Sequence, residues 1–292
     1  MKITTGFINI QGAPLEGENP LPMFRARSHD SHPVGNGTLK PEELEGFGID
    51  TGFRVLPYRI QDRYSRDKRS MEMACVTMEN EFLKAEFLPE YGGRLWSLYD
   101  KKNSRELLFR NPVMQPANLA VRNAWFSGGI EWNVAQYGHT FTTCDKVFFA
   151  KVVAEEGYEF LRMYEYERTK GLLWQIDFHL PDESRQLFAH VTIMNDSAKD
   201  VSMYWWTNIA VREEEGCRVF SSTKEVMYLE PKSVYPGSEH SFGHGTMPEL
   251  PILPGKDASY PKNFTYSSEY FFQNGKELVS PWESITYRDG SA

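Results

Sequence analysis

From Met71 onward the chain runs in short apolar–polar alternations, broken by turn residues at roughly 8–12-residue intervals. That rhythm restricts the fold more than any other feature. Leu83 to Leu88 alternates strictly, and Leu95 to Tyr99 ends at the turn Asp100-Lys101-Lys102-Asn103-Ser104. Three further runs, Phe148 to Ala154, Tyr158 to Tyr166 and Leu172 to Leu180, are divided by Glu155-Glu156-Gly157 and Thr169-Lys170-Gly171. Phe188 to Met194 and Val201 to Val211 flank Asn195-Asp196-Ser197. Period-two patterning reads as strands with one buried face, and no run supports a helix longer than two turns. The expectation is an all-β chain of antiparallel strands, a sandwich or barrel, over residues 66–292. Residues 1–65 are rich in Gly, Pro and charge and read as an extended arm packed on that domain. Residues 231–264 read as one long loop region. The last residues, Tyr287-Arg288-Asp289-Gly290, read as a turn with no returning strand, so the domain is expected to be incomplete at its C-terminus.

Charge removes several function classes. The formal net charge is −8 and no Lys/Arg run occurs, which argues against nucleic acid and anionic membrane as partners. No Gly-rich loop opens a helix, so the usual nucleotide cradle is absent and no cofactor is expected. Three well-separated cysteines, Cys75, Cys144 and Cys217, read as reduced and structural, and therefore as cytoplasmic. His240 and His244, without a carboxylate in step, make a weak metal pair, and no metal site is expected.

Unusual chemistry gathers between Pro89 and Cys144. Paired glycines, aromatics beside carboxylates, amides and a His eight residues past a Glu lie in this one stretch. Glu131 and His139 are the acid/base candidates, because an imidazole and a carboxylate both exchange protons near neutral pH. The competing reading pairs Glu131 with Arg94 or Arg122 and leaves His139 at a turn. Arg94 and Arg122 offer forked donors for hydroxyls. The amides of Asn118, Asn133 and Asn208 both donate and accept. Trp125, Trp132 and Trp206 are stacking candidates, with core packing as the competing role. Trp205 and Trp206 must face opposite ways along a strand, and Trp206 shares the face of Asn208. Asp257 and Glu269, on a later loop–strand pair, are the remaining carboxylate candidates.

Three motifs carry a family resemblance: Leu88-Pro89-Glu90-Tyr91-Gly92-Gly93-Arg94, Phe109-Arg110-Asn111-Pro112-Val113-Met114-Gln115-Pro116, and Trp125-Phe126-Ser127-Gly128-Gly129-Ile130-Glu131-Trp132-Asn133. They resemble the DUF5107 family of galactose-mutarotase-like proteins and, at greater distance, aldose 1-epimerases. The resemblance implies a β-supersandwich that binds a sugar or sugar derivative, with Glu/His acid–base chemistry at the anomeric centre. It equally accommodates a non-catalytic sugar-sensing domain. One departure is plain: where the epimerases carry a second His, this chain has Asn208.

Overall fold

The structure is a computed structural model. It describes residues 1–24, 33–35, 37–38, 40–44, 55–119, 125, 127–134, 138–229, 240–264, 271–273 and 281–292. In chain order the strands begin β1 (Lys2–Gly12), β2 (Pro22–Phe24), β3 (Pro33–Gly35), β4 (Val55–Arg59), β5 (Arg69–Glu79) and β6 (Leu83–Leu88). Next come β7 (Arg94–Asp100), β8 (Arg105–Glu106), β9 (Ile130–Val134), β10 (Phe148–Val153), β11 (Glu159–Glu167), β12 (Leu172–His179) and β13 (Phe188–Met194). The remainder are β14 (Trp205–Ile209), β15 (Arg218–Ser221), β16 (Glu225–Leu229), β17 (His240–Thr246), β18 (Phe271–Gln273) and β19 (Glu283–Thr286). Helical structure among the described residues amounts to a four-residue turn at Pro41–Leu44 and a 3-10 turn at Pro261–Asn263. The chain is all-β, as the alternation implies, and none of these helices is long and apolar enough to cross a membrane.

Two compact units divide the chain: Met1–Arg27 with Thr51–Arg212, and Ser28–Asp50 with Glu213–Ala292. In the first, a seven-stranded antiparallel sheet runs β1-β5-β6-β7-β9-β14, with β8 beside β7. A four-stranded sheet, β10-β11-β12-β13, packs against it. Val76, Phe87, Leu95 and Trp132 of the larger sheet meet Met163, Trp174, Ile176 and Phe178 of the smaller. Period two explains why: Leu83, Ala85 and Phe87 turn to this core, while Lys84 and Glu86 form a salt bridge on the other face. Where the larger sheet is covered on both sides the alternation fades. Leu88 and Trp96 join Ile10, Met71, Met73 and Met114 in a second cluster, next in sequence to Phe87 and Leu95 of the first.

Residues Lys2–Gly12, which the sequence places in a lead-in arm, pair along all eleven positions with β5. A tie from a later N-terminal strand is also specific: the Tyr58 hydroxyl donates to the buried Glu167 carboxylate at 3.0 Å.

In the second unit, β18-β16-β17-β3 form one sheet and β15-β19 another. The β3–β17 ladder is parallel, the exception to the antiparallel rule in the described sheets. Part of the expected long loop is strand β17, whose Gly243 and Gly245 read as loop residues. Their reason is packing: a Cβ on Gly243 would collide with the Tyr228 ring.

The sandwich yields a direct contrast. Phe178 is fully buried between Phe87 and Trp132, whereas Phe148 is 59% exposed on the outer face of the same sheet. Phe178→Ala is expected to lower unfolding free energy by about 3–5 kcal/mol. Phe148→Ala should stay within roughly 0.5 kcal/mol of wild type in denaturant titrations.

Candidate functional site

Strand β9 builds the site because its two faces do different work. Ile130, Trp132 and Val134 point into the core, and Glu131 and Asn133 point the other way. The strand begins where it does because Gly129, at φ 68°, lies against the Leu95 backbone, where a Cβ would strike the carbonyl oxygen. Opposite β9 on β14, Asn208 pairs with Glu131 and Trp206 with Asn133. Directly opposed residues share a face, so Glu131, Asn133, Trp206 and Asn208 form one polar–aromatic surface. Trp205 turns to the core and packs on Trp174.

Glu131 is 3% exposed and its carboxylate is crowded with donors. Its Oε1 accepts from the Thr143 hydroxyl at 2.5 Å and from Arg94 Nη2 at 3.2 Å. Its Oε2 accepts from His139 Nδ1 at 2.7 Å and from the Asn133 amide at 3.3 Å. Arg94 is equally buried and donates through Nη1 to the Gly128 carbonyl at 2.7 Å. Burial works against charge on both partners. For Arg94 it pulls the guanidinium below its ordinary value despite Glu131. For Glu131 the burial cost is outweighed by the His139 hydrogen bond, the Arg94 charge and the Thr143 hydroxyl, so its carboxyl lies below the usual range. Glu131 is thus ion-paired with Arg94, as the competing reading has it, and it also holds His139.

An ionised carboxylate only accepts, so His139 donates Nδ1–H to Glu131. The residues on either side of His139 are fixed by the same sheet face. Trp206 Nε1 donates to the Gly138 carbonyl at 2.9 Å, and Thr140 N donates to Asn133 Oδ1 at 2.7 Å. Indoles flank the imidazole: Trp125 lies nearly parallel, with centroids 6.1 Å apart, and Trp206 is tilted at 5.1 Å. Trp125 also covers the Arg94 guanidinium at 5.5 Å. Chemically this is a steered imidazole between two aromatic faces.

Of the residues read from sequence, Arg94, Trp125, Glu131, Asn133, His139 and Trp206 come together, with Asn208 on the shared face. Trp132 does not join them. It lies on the core face of β9, 5% exposed, with its Nε1 donating to the Gly93 carbonyl at 3.2 Å. Asn118 accepts from the Gln61 backbone N–H at 3.3 Å, a structural task. Asp257 belongs to the second unit, where it binds Arg218 at 3.0 Å and caps Ser259. Arg122 and Glu269 lie outside the described residues.

Sequence reasoning missed Thr140 and Thr143. Their signal was the polar run His139-Thr140-Phe141-Thr142-Thr143, dense for a stretch that ends up buried. It also missed a cavity of about 600 Å³ in the first unit, lined by Asn19, Arg59, Gln61, Tyr91, Lys146 and Arg168 among others. Arg94, Glu131 and His139 are not on its wall. Cys144 is, but burial pushes its thiol up to about 11, leaving it protonated and a poor nucleophile. Among the described residues no group of three or more His, Cys, Asp or Glu is arranged to hold a metal.

Residues 51–268 match the family described as Domain of unknown function (DUF5107). The chain belongs to the DUF5107 family. Its structure is similar to that of a TPR-domain containing protein from Parabacteroides distasonis ATCC 8503, at 20% identity and TM-score 0.56. That alignment covers 78% of this chain and 35% of the other, so the DUF5107 chain spans about a third of that neighbour's length and shares the fold of that part. Overlap with a 4-alpha-glucanotransferase from Thermococcus litoralis is slighter. It has 14% identity and TM-score 0.32, over 52% of this chain and 27% of that one, too little to carry an argument.

The lowered Glu131 value fixes a sign. Folding favours its ionised form, so its contribution is complete above the ordinary carboxylate value, about pH 4.3, and is lost as pH falls through the lower folded value. Glu131→Gln should therefore flatten that part of the acid limb of stability against pH. Glu131→Ala, which strands the Arg94 charge, should cost about 3–5 kcal/mol by urea unfolding at neutral pH.

Proposed function

We propose that this DUF5107 chain is a carbohydrate-binding domain of galactose-mutarotase-like type, and that a sugar meets His139 between the indoles of Trp125 and Trp206. One observation carries the reading: His139 donates Nδ1–H to a buried, ionised Glu131 at 2.7 Å while aromatic faces flank its ring. A pyranose presents apolar C–H faces and hydroxyl edges, and this surface offers a matching partner for each. The superfamily assignment draws on the motif likeness over residues 88–133 and on the packing of a seven-stranded sheet against a four-stranded one. Three free, buried cysteines support a cytoplasmic location for the domain.

Chemistry at the anomeric centre would run through His139, which can take and return the hydroxyl proton while Glu131 steadies the imidazolium. Glu131 is a positioning residue in this scheme, because both its oxygens are already occupied below the ring. That saturation favours the second reading, binding without turnover, since ring opening needs a further group to protonate the ring oxygen.

Affinity should be modest, because each hydroxyl exchanges water for protein at a net gain of about 1 kcal/mol. A monosaccharide panel read by calorimetry or ligand-observed NMR should find at least one binder, and His139→Ala should abolish that binding while unfolding stays cooperative at a midpoint lowered by the loss of a donor to Glu131, about 1–3 kcal/mol. Polarimetric mutarotation of glucose and galactose separates enzyme from sensor. A folded wild-type protein that binds no sugar would falsify the carbohydrate reading.

A further inference from the structure

The 600 Å³ cavity of the first unit takes no part in the sugar reading, and its volume lies in the range of small-molecule sites. Its walls come from separate segments that hydrogen bonds tie to one another. Glu16 N donates to the Arg63 carbonyl at 2.7 Å, Gly92 N to the Asp145 carbonyl at 2.8 Å, and Gln61 Nε2 to the Cys144 carbonyl at 2.9 Å. The space is therefore formed before a ligand arrives, which lowers the cost of binding. Four polar side chains on this wall lack a match among the described residues. A carbonyl cannot donate, so the Nε2 bond to Cys144 fixes the Gln61 amide and leaves Oε1 a buried acceptor with no donor. Arg168 is held over the Tyr58 ring at 5.0 Å, with Nη1 donating to the Pro57 carbonyl at 3.4 Å, and has no carboxylate within ion-pair distance. Glu72 and Asp145 have no cation within that distance; the Asp145 carboxylate accepts the Lys146 backbone N–H at 2.8 Å. The other charges on the wall are already paired, Arg59 with Glu18 and Lys146 with Glu90.

We propose that this cavity binds a small zwitterion, an ammonium and a carboxylate on one short skeleton, of the free amino acid or short peptide class. Arg168 takes the carboxylate with its forked donors. The ammonium has three donors, which serve the Glu72 and Asp145 carboxylates and the Gln61 Oε1. Buried Met71 and Met73 on the same wall give the skeleton apolar contact. Charge selects this class over the alternatives. A plain anion meets Glu18, Glu72, Glu90 and Asp145 against Arg59, Lys146 and Arg168, four like charges to three opposite. A plain cation leaves Arg168 unmet, and a neutral sugar leaves both signs unmet. The proposal is independent of the sugar reading, because His139 is not on this wall.

The probes are the common L-α-amino acids and the series glycylglycine to tetraglycine, along which the two charges move apart. Protein labelled with methyl-13C methionine reports where they bind. At least one probe should shift the Met71 and Met73 methyl signals saturably and leave that of Met163, in the sandwich core, unmoved. Amidating its carboxylate or acetylating its amine should weaken binding by about tenfold or more, and so should Arg168→Gln. Arg168→Lys, which keeps the charge, should recover part of that loss. Three results overturn the proposal: no probe that moves the two methyl signals, equal binding of the blocked and the free probe, or a neutral monosaccharide moving these signals in their place.

Discussion

The buried Arg94–Glu131 ion pair is the constraint around which the first unit is arranged. Two opposite charges, at 1% and 3% exposure, are costly to bury, and the hydrogen bonds around them offset that cost. Gly128 supplies a carbonyl to Arg94, and Thr143, Asn133 and His139 supply donors to Glu131. Those partners come from the turn before β9, from β9 itself and from the segment after it. Closing the pair therefore closes the chain path from Arg94 to Thr143. The glycines in this stretch follow from the same demand for closeness: Gly92, at φ 66°, lies against the Thr142 carbonyl, where no Cβ fits.

Register then converts that electrostatic knot into a surface. Because β14 pairs with β9 as Trp206↔Asn133, the Trp206 indole lies where it can hold the Gly138 carbonyl. Asn133 holds Thr140 N from below. His139 is thus fixed by its neighbours' backbone as well as by Glu131. A one-residue slip of β14 would exchange Trp206 for Trp205 and send the indole that steadies His139 into the core. The hydrophobic demand for Trp205 against Trp174 therefore protects the site's geometry.

Much of the first unit was legible in the sequence, and the reason is period two. Strands β10 to β13 lie within a residue or two of the alternating runs, because β11 and β12 bury residues of one face and β10 and β13 turn Phe149, Val191 and Ile193 towards the same core. Legibility failed where that condition lapsed. All five residues of β9 are buried, so nothing in its pattern says that Trp132 faces core and Glu131 does not. The stacking role read for Trp132 went wrong there. β17 was hidden because its glycines answer to the Tyr228 ring, a contact that no local rule reports. In the site, Glu131, His139, Arg94 and Trp206 were readable as residue types with unusual chemistry. The threonines that complete the carboxylate's shell were not, since a Thr announces a hydrogen bond without naming its partner.

The direction of that shell bears on what the site can do. A general acid must release a proton that it holds at working pH, and Glu131 is held on the ionised side, against the cost of burial, by the hydrogen bonds from His139 and Thr143 and by the Arg94 charge. Its carboxylate instead sets the tautomer and tilt of an imidazole that is 14% exposed, more open to solvent than the carboxylate that holds it. Fixing a group before a ligand arrives lowers the entropy lost on binding, which matters most when each contact with a hydroxylated ligand yields little. The rigid pair below and the aromatic faces beside His139 are two halves of one solution. The interior supplies order, and the indoles supply contact area that needs no exact hydrogen-bond match.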